Sequence, residues 1–140
     1  MKISARNVLA GKVQKVTKGA VNAEIVLSLQ GGETVVAIIT NSSVDKLELE
    51  AGKSAYAVIK ASEVMIGKGV DGAKLRARNV LPGEVSNLQD GAVNSEVEIR
   101  LAGDTVVVAS ITKQSARALG LQNGDKVSVI VKASNVLLGV

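Results

Sequence analysis

The chain has 140 residues, 46% of them hydrophobic, with a single aromatic residue, Tyr56, and a net charge of +4. It has neither Cys nor His, which excludes disulfides, thiolate metal sites and thiol nucleophiles and removes the commonest general base and metal ligand. No apolar run approaches the roughly 20 residues needed to span a bilayer, and its 17 basic and 13 acidic residues are interspersed, so any anion is held locally rather than by a polybasic arm.

The opening MKISARNVLAGKV has no continuous apolar h-region, so a cytoplasmic address is expected. From Ala5 onward the text is written twice. With an offset of 72 and no gaps, Ala5 to Gly67 lies over Ala77 to Gly139, and about 28 of the roughly 63 pairs are identical. This divides the chain into a first domain (1–67), a linker (68–74) and a second domain (75–140). Units this small and built from Val, Ile, Leu and Ala bury a limited fraction of their surface, so they are expected to pack together or oligomerise.

In chain order, the first repeat predicts strands over Asn7 to Val16, Asn22 to Leu29, Thr34 to Ile39 and Ser54 to Lys60, with counterparts in the second. Gln30-Gly31-Gly32 and Ala102-Gly103-Asp104 read as hairpin turns. Val97, Ile99 and Leu101 alternate with polar residues and are expected to point inward. Ser43 to Leu49 and Ser115 to Leu121 read as one or two helical turns, each opened by a Ser able to cap. The fold class is therefore all-β: two tandem OB-like Greek-key barrels, each with one short helix. The linker, Lys-Gly-Val-Asp-Gly-Ala-Lys, is short and Gly-rich and keeps the modules in contact.

Identical Arg, Asn, Lys and Ser residues ask for a reason beyond packing. Ser4, Ala5, Arg6 and Asn7 recur with Lys60, Ala61 and Ser62; Ala77, Arg78 and Asn79 recur with Lys132, Ala133 and Ser134, and Arg-to-Lys spacing is 54 in both. Arg offers a planar fork of donors, Lys a point charge, Ser a hydroxyl, and Ala lets a ligand reach backbone N–H groups. No carboxylate belongs to either cluster, so the set describes an oxyanion pocket rather than a cation site or an acid–base pair. The competing reading is charged strand ends at a solvated surface.

Thr40 and Ser43, matched by Thr112 and Ser115, place hydroxyls at the entry to the helix, where they serve as an anion seat or simply as caps. Gly19, Ala20, Val21 and Asn22 recur as Gly91, Ala92, Val93 and Asn94, a bulge or turn whose geometry outranks ligand binding. Lys12, Lys15 and Lys18 are matched by Glu84, Asn87 and Asp90 in the second repeat and read as a solvated face.

SARNVLAGKV with KASEV, and RARNVLPGEV with KASNV, resemble the opening and closing segments of the molbindins, the Mop or TOBE-type family of OB-like molybdate-binding domains. The likeness covers nearly the whole chain twice, as in the family's two-domain, di-Mop members. It implies storage and homeostasis of molybdate, with tungstate as a close mimic, and no catalysis and no organic cofactor. Its main site lies between barrels: one supplies Ser4, Ala5, Arg6, Lys60, Ala61 and Ser62 or their counterparts, and a neighbour supplies Thr40 and Ser43 or theirs. A second, weaker family site falls on the GAVN segments. Six barrels per assembly imply a homotrimer. Ser4 is matched by Arg76, so the two repeats' sites differ.

A tetrahedral dianion has only acceptors, so a pocket of donors satisfies it and rejects protonated competitors. The alternative is an OB-type regulatory or nucleic-acid-binding module. One Tyr supplies no stacking platform for nucleic acid, and neither a Walker lysine motif nor a helix-turn-helix segment is present. An enzyme is not expected without His, Cys or a convergent carboxylate pair.

Overall fold

The computed structural model describes residues 2–70 and 79–140. The elements, in order, are β1 (Asn7–Lys18), β2 (Asn22–Leu29), β3 (Thr34–Thr40), α1 (Asn41–Leu47), β4 (Ser54–Ile59) and β5 (Met65–Gly67) in the first repeat. The second gives β6 (Asn79–Asp90), β7 (Asn94–Leu101), β8 (Val106–Thr112), α2 (Lys113–Leu119), β9 (Lys126–Val131) and β10 (Leu137–Gly139). One-turn 3-10 helices, Ala61–Glu63 and Ala133–Asn135, precede β5 and β10.

The strands form two curled five-stranded antiparallel sheets, OB-like half-barrels, in the orders β10-β4-β1-β2-β3 and β5-β9-β6-β7-β8. The sheets do not follow the repeats strand for strand. Each takes its fifth strand from the other repeat: β10 pairs with β4 (Leu137 opposite Val58), and β5 pairs with β9 (Met65 opposite Ile130). The reason is legible in the short segment before each exchanged strand. Val64 and Val136 are buried at 2% and 1% exposure, and the 3-10 turns they cap pack against β8 and β3 of the opposite repeat. An apolar anchor thus draws each tail across.

The core is one aliphatic cluster running through both repeats. Val97, Ile99 and Leu101 are buried as the alternation predicted, with Ile25, Leu27 and Leu29 as counterparts. Each such side chain removed from water contributes about 1.5–3 kcal/mol, so a core spanning both repeats relieves the small-domain problem. The long first strands bend at bulges between Val13 and Lys15 and between Val85 and Asn87, which curls the sheet. Gly11 and Gly83 allow this: a Cβ on Gly11 would sit 2.5 Å from the Ser28 carbonyl oxygen, and one on Gly83 would sit 2.6 Å from Ile99.

The helices begin earlier than Ser43 and Ser115. Thr40 and Thr112 are the N-caps, their hydroxyls accepting from the Ser43 and Ser115 N–H groups at 3.1 Å. Each Ser is the third helical residue, where that bond forms, and not the cap itself. The last turn ends on Glu48 (φ 53°) in α1 and Gly120 (φ 60°) in α2, both left-handed.

Candidate functional site

Asn7 opposes Ile59 in the β1–β4 ladder, so the preceding Arg6 and the following Lys60 flank the same ladder end. The two halves of the sequence cluster, SAR and KAS, therefore meet. Lys60 is the N-cap of its 3-10 turn, as Lys132 is of the matching one. Ser4, Arg6, Lys60, Ser62, Lys132 and Ser134 are exposed, Ala5 and Ala61 half-buried, and Ala133 buried. The carbonyls of Lys60 and Lys132 accept from the Glu63 and Asn135 N–H groups at 2.9 Å, but neither lysine side chain makes an ion pair or hydrogen bond with another described residue. Arg76, Ala77 and Arg78 lie outside the described residues.

Thr40 and Ser43 stand at the other end of their own sheet. Thr40 opposes Asn22, beside the β1–β2 turn, whereas Arg6 precedes the first residue of β1. At about 3.3 Å per residue, the twelve-residue β1 puts roughly 35 Å of strand between them. Within one repeat they cannot share a ligand. Strand exchange changes the neighbourhood instead: Arg6 reaches Glu96 on β7, whose ladder partner Ser110 is two residues before Thr112. The Ala61–Glu63 turn packs on the same β8. The first repeat's donors are thereby turned toward the strand that leads to Thr112 and Ser115.

Two expectations about this cluster are revised. Asn7 and Asn79 are buried at 2% and 3% exposure, and their amides are committed to protein. Asn7 donates to the Val108 carbonyl (2.8 Å) and accepts from the Val108 N–H (2.7 Å); Asn79 does the same with Val36, at 2.8 and 2.7 Å. Each amide imitates a strand backbone and clasps the opposite repeat. Second, a carboxylate does join the cluster in space, since Arg6 and Glu96 are 2.7 Å apart. That hydrogen bond, with the charge of Glu96, holds the Arg6 guanidinium above its ordinary value. Glu24 and Glu96 are identical in the two repeats; that identity was the signal for a role in the cluster.

The GAVN segments are hairpin turns between long strands. Gly19 N–H donates to Asn22 O at 2.7 Å and Gly91 N–H to Asn94 O at 2.8 Å. Val21 O and Val93 O accept from Asn41 and Lys113 N–H at 2.9 Å, tying each turn to the start of the helix. Ala20 and Ala92 are exposed, and Val21 and Val93 project at 70% and 74% exposure. Of the lysine face, Lys18 pairs with Asp45 at 2.7 Å, while Lys12 and Lys15 are exposed.

The TOBE domain family matches residues 3–66 and again 76–138. Over 140 residues the chain is 41% identical to the molybdenum-pterin-binding protein MopA of Rhodobacter capsulatus, covering 100% of this chain and 53% of MopA. It is 39% identical to the molybdenum transport protein ModE of Azotobacter vinelandii, covering 100% of this chain and 52% of ModE. The chain thus spans about half the length of the curated relatives it matches. Among solved structures, the cytoplasmic molybdate-binding protein ModG, in a form with molybdate bound, aligns with 100% of this chain and 99% of its own at TM-score 0.96 and 46% identity. With a match in each repeat, the chain belongs to the TOBE domain family.

Proposed function

We propose that this chain binds molybdate as an intact oxyanion, at sites between its OB-like units, and that it serves storage and homeostasis of the metal rather than catalysis. The observation that carries this reading is the whole-length likeness to a molybdate-bound structure at 46% identity and TM-score 0.96. The donor set supports it. The Lys60 and Lys132 side chains have no ion-pair or hydrogen-bond partner among the described residues, and each leads a turn that also carries Ala and an exposed Ser. A tetrahedral dianion is what such groups complement, and charge-assisted hydrogen bonds are the strong ones. Tungstate, equal in charge and shape, is bound in the same manner.

The ligand set comprises Ser4, Ala5, Arg6, Lys60, Ala61 and Ser62 with a neighbour's hydroxyl pair, and Ala77, Arg78, Lys132, Ala133 and Ser134 with another. Because Thr40 and Ser43 stand a strand's length from Lys60, a site combining these groups must cross between units. A homotrimer, with six units, multiplies such crossings, and the exposed Val21 and Val93 turns suit burial between copies. The GAVN turns are the weaker, second site. No described helix is long and apolar enough to cross a membrane, and we place the protein in the cytoplasm. Titration of the intact chain with molybdate, tungstate, sulfate and phosphate tests the reading, because only the first two are expected to bind in the micromolar range or tighter.

A further inference from the structure

The exchange of β5 and β10 obliges each sheet to accept a visiting tail, and the two tails differ where they touch their hosts. At the end of α1, Lys53 Nζ donates to the carbonyls of Leu47 (2.7 Å) and Glu48 (3.3 Å). At the end of α2 the equivalent carbonyls, Leu119 and Gly120, receive Lys68 Nζ at 3.0 and 3.3 Å. Lys68 belongs to the visiting tail, just past β5. Position 125, the counterpart of Lys53, is Asp, and its Oδ2 lies 3.0 Å from the same Nζ. One lysine closes each helix, supplied from within in the first repeat and by the visitor in the second. The counterpart of Lys68 is Val140.

Two further differences lie along the same tail. Ser128 donates its hydroxyl to the Val70 carbonyl at 3.3 Å, whereas its counterpart is the much larger Tyr56, opposite Gly139 of the other visitor. Glu63 accepts from Asn135 Nδ2 at 3.0 Å, and these are the same position in the two repeats. We propose that these four differences form a recognition code that directs strand exchange to the sister repeat of the chain and rejects exchange between like repeats of two copies.

Exchange between two first repeats brings Lys68 against Lys53, over carbonyls already occupied, sets Glu63 against Glu63, and runs Val70 onto Tyr56. Exchange between two second repeats puts Val140 beside Asp125, whose carboxylate then has no cation. Half-exposed pairs of this kind add little stability by themselves. Their force is selective, because the wrong pairing meets repulsion that the right one does not. The sister repeat also has the advantage of being tethered.

The chain has no native Cys, so introduced thiols report pairing directly. By the register, Val58 faces Leu137 in the native sheet and would face Met65 of a second copy only after like-with-like exchange. The full chain carrying Val58→Cys and Met65→Cys, unfolded in denaturant and refolded with mild oxidant, is expected to give little covalent dimer on a non-reducing gel. Adding Tyr56→Ser, Glu63→Asn and Lys68→Ala is expected to raise the dimer fraction roughly tenfold. An equal dimer fraction in both, with circular dichroism showing both folded, overturns the proposal. Should the five-site variant fail to fold, Lys68→Asp alone is expected to lower the thermal midpoint by about 3 °C and Asp125→Lys added to it to restore the midpoint. No restoration overturns it equally.

Discussion

Asn135 donates to Glu63 across 3.0 Å, and the two residues are 72 positions apart, which is the repeat offset itself. A residue that touches its own counterpart lies beside a pseudo-twofold axis. A second such pair marks the same axis at the hairpins: a Cβ on Gly103 would fall onto the backbone of Gly31, again 72 positions away. The axis therefore runs from the KAS turns to the β2–β3 and β7–β8 hairpin tips. Around it, Asn7 and Asn79 clasp Val108 and Val36 reciprocally.

The clasp makes a stability prediction. Replacing Asn7 by Ala leaves the Val108 N–H and C=O buried without a partner, and such groups cost about 1–3 kcal/mol each. Asn7→Ala and Asn79→Ala are each expected to lower unfolding free energy by about 2–4 kcal/mol, read as a shift in the denaturant midpoint. A change under about 0.5 kcal/mol would show that the clasp is ornamental.

Gly103→Ala is expected to be far more harmful than Gly32→Ala. At Gly103 the added carbon meets the Gly31 backbone, which cannot rotate away; at Gly32 the space is open and the cost comes from φ +95°. Denaturant melts are expected to show about 1 kcal/mol of loss at Gly32 and at least twice that at Gly103. Equal losses would contradict the close approach of the hairpin tips.

Thr40 and Thr112 allow capping to be separated from ligand binding. Thr→Ala removes the cap and costs about 1 kcal/mol, whereas Thr→Asp keeps an acceptor for the Ser43 or Ser115 N–H. If these hydroxyls also face a dianion, Thr40→Asp and Thr112→Asp retain the melting temperature but lose molybdate affinity through like-charge repulsion. Retained affinity in the Asp variants confines both threonines to capping.

The Asp125 carboxyl is held below its ordinary value by its hydrogen bond to Lys68 and then by the Gln122 N–H. A depressed carboxylate contributes stability above its unfolded pKa, and this is lost as pH falls through the folded value. Asp125→Asn is therefore expected to flatten the acid limb of the stability curve and leave its shape unchanged near neutrality. Unfolding curves between pH 2 and pH 8 test this, and an unaltered acid limb would contradict it.

Much of this was legible in the text of the chain. The duplicated pattern placed the strands of each repeat within two residues, because period-two alternation and Gly turns are local signals. Exchange of β5 and β10 was not legible: three-residue strands carry little pattern of their own, and their partner depends on where Val64 and Val136 are buried. The same blindness put Asn7 and Asn79 among the ligands, since identity between repeats cannot distinguish an amide that grips a neighbouring backbone from one that meets an anion. Glu96 was missed for the converse reason, as it is remote from Arg6 in sequence and joins it only across the repeats. Lys60 and Lys132 remain candidates, their side chains having no ion-pair or hydrogen-bond partner among the described residues.

On the proposed function, the intact chain holds molybdate through these lysine-led turns. The decisive measurement is isothermal titration of the full chain with molybdate, alongside the Lys60→Ala, Lys132→Ala double variant. Saturable binding in the micromolar range or tighter is expected, with little heat from sulfate or phosphate, and with affinity lowered by about tenfold or more in the variant while its melting temperature is kept. Equal heat from sulfate, or unchanged molybdate affinity and stoichiometry in the double variant, would contradict it.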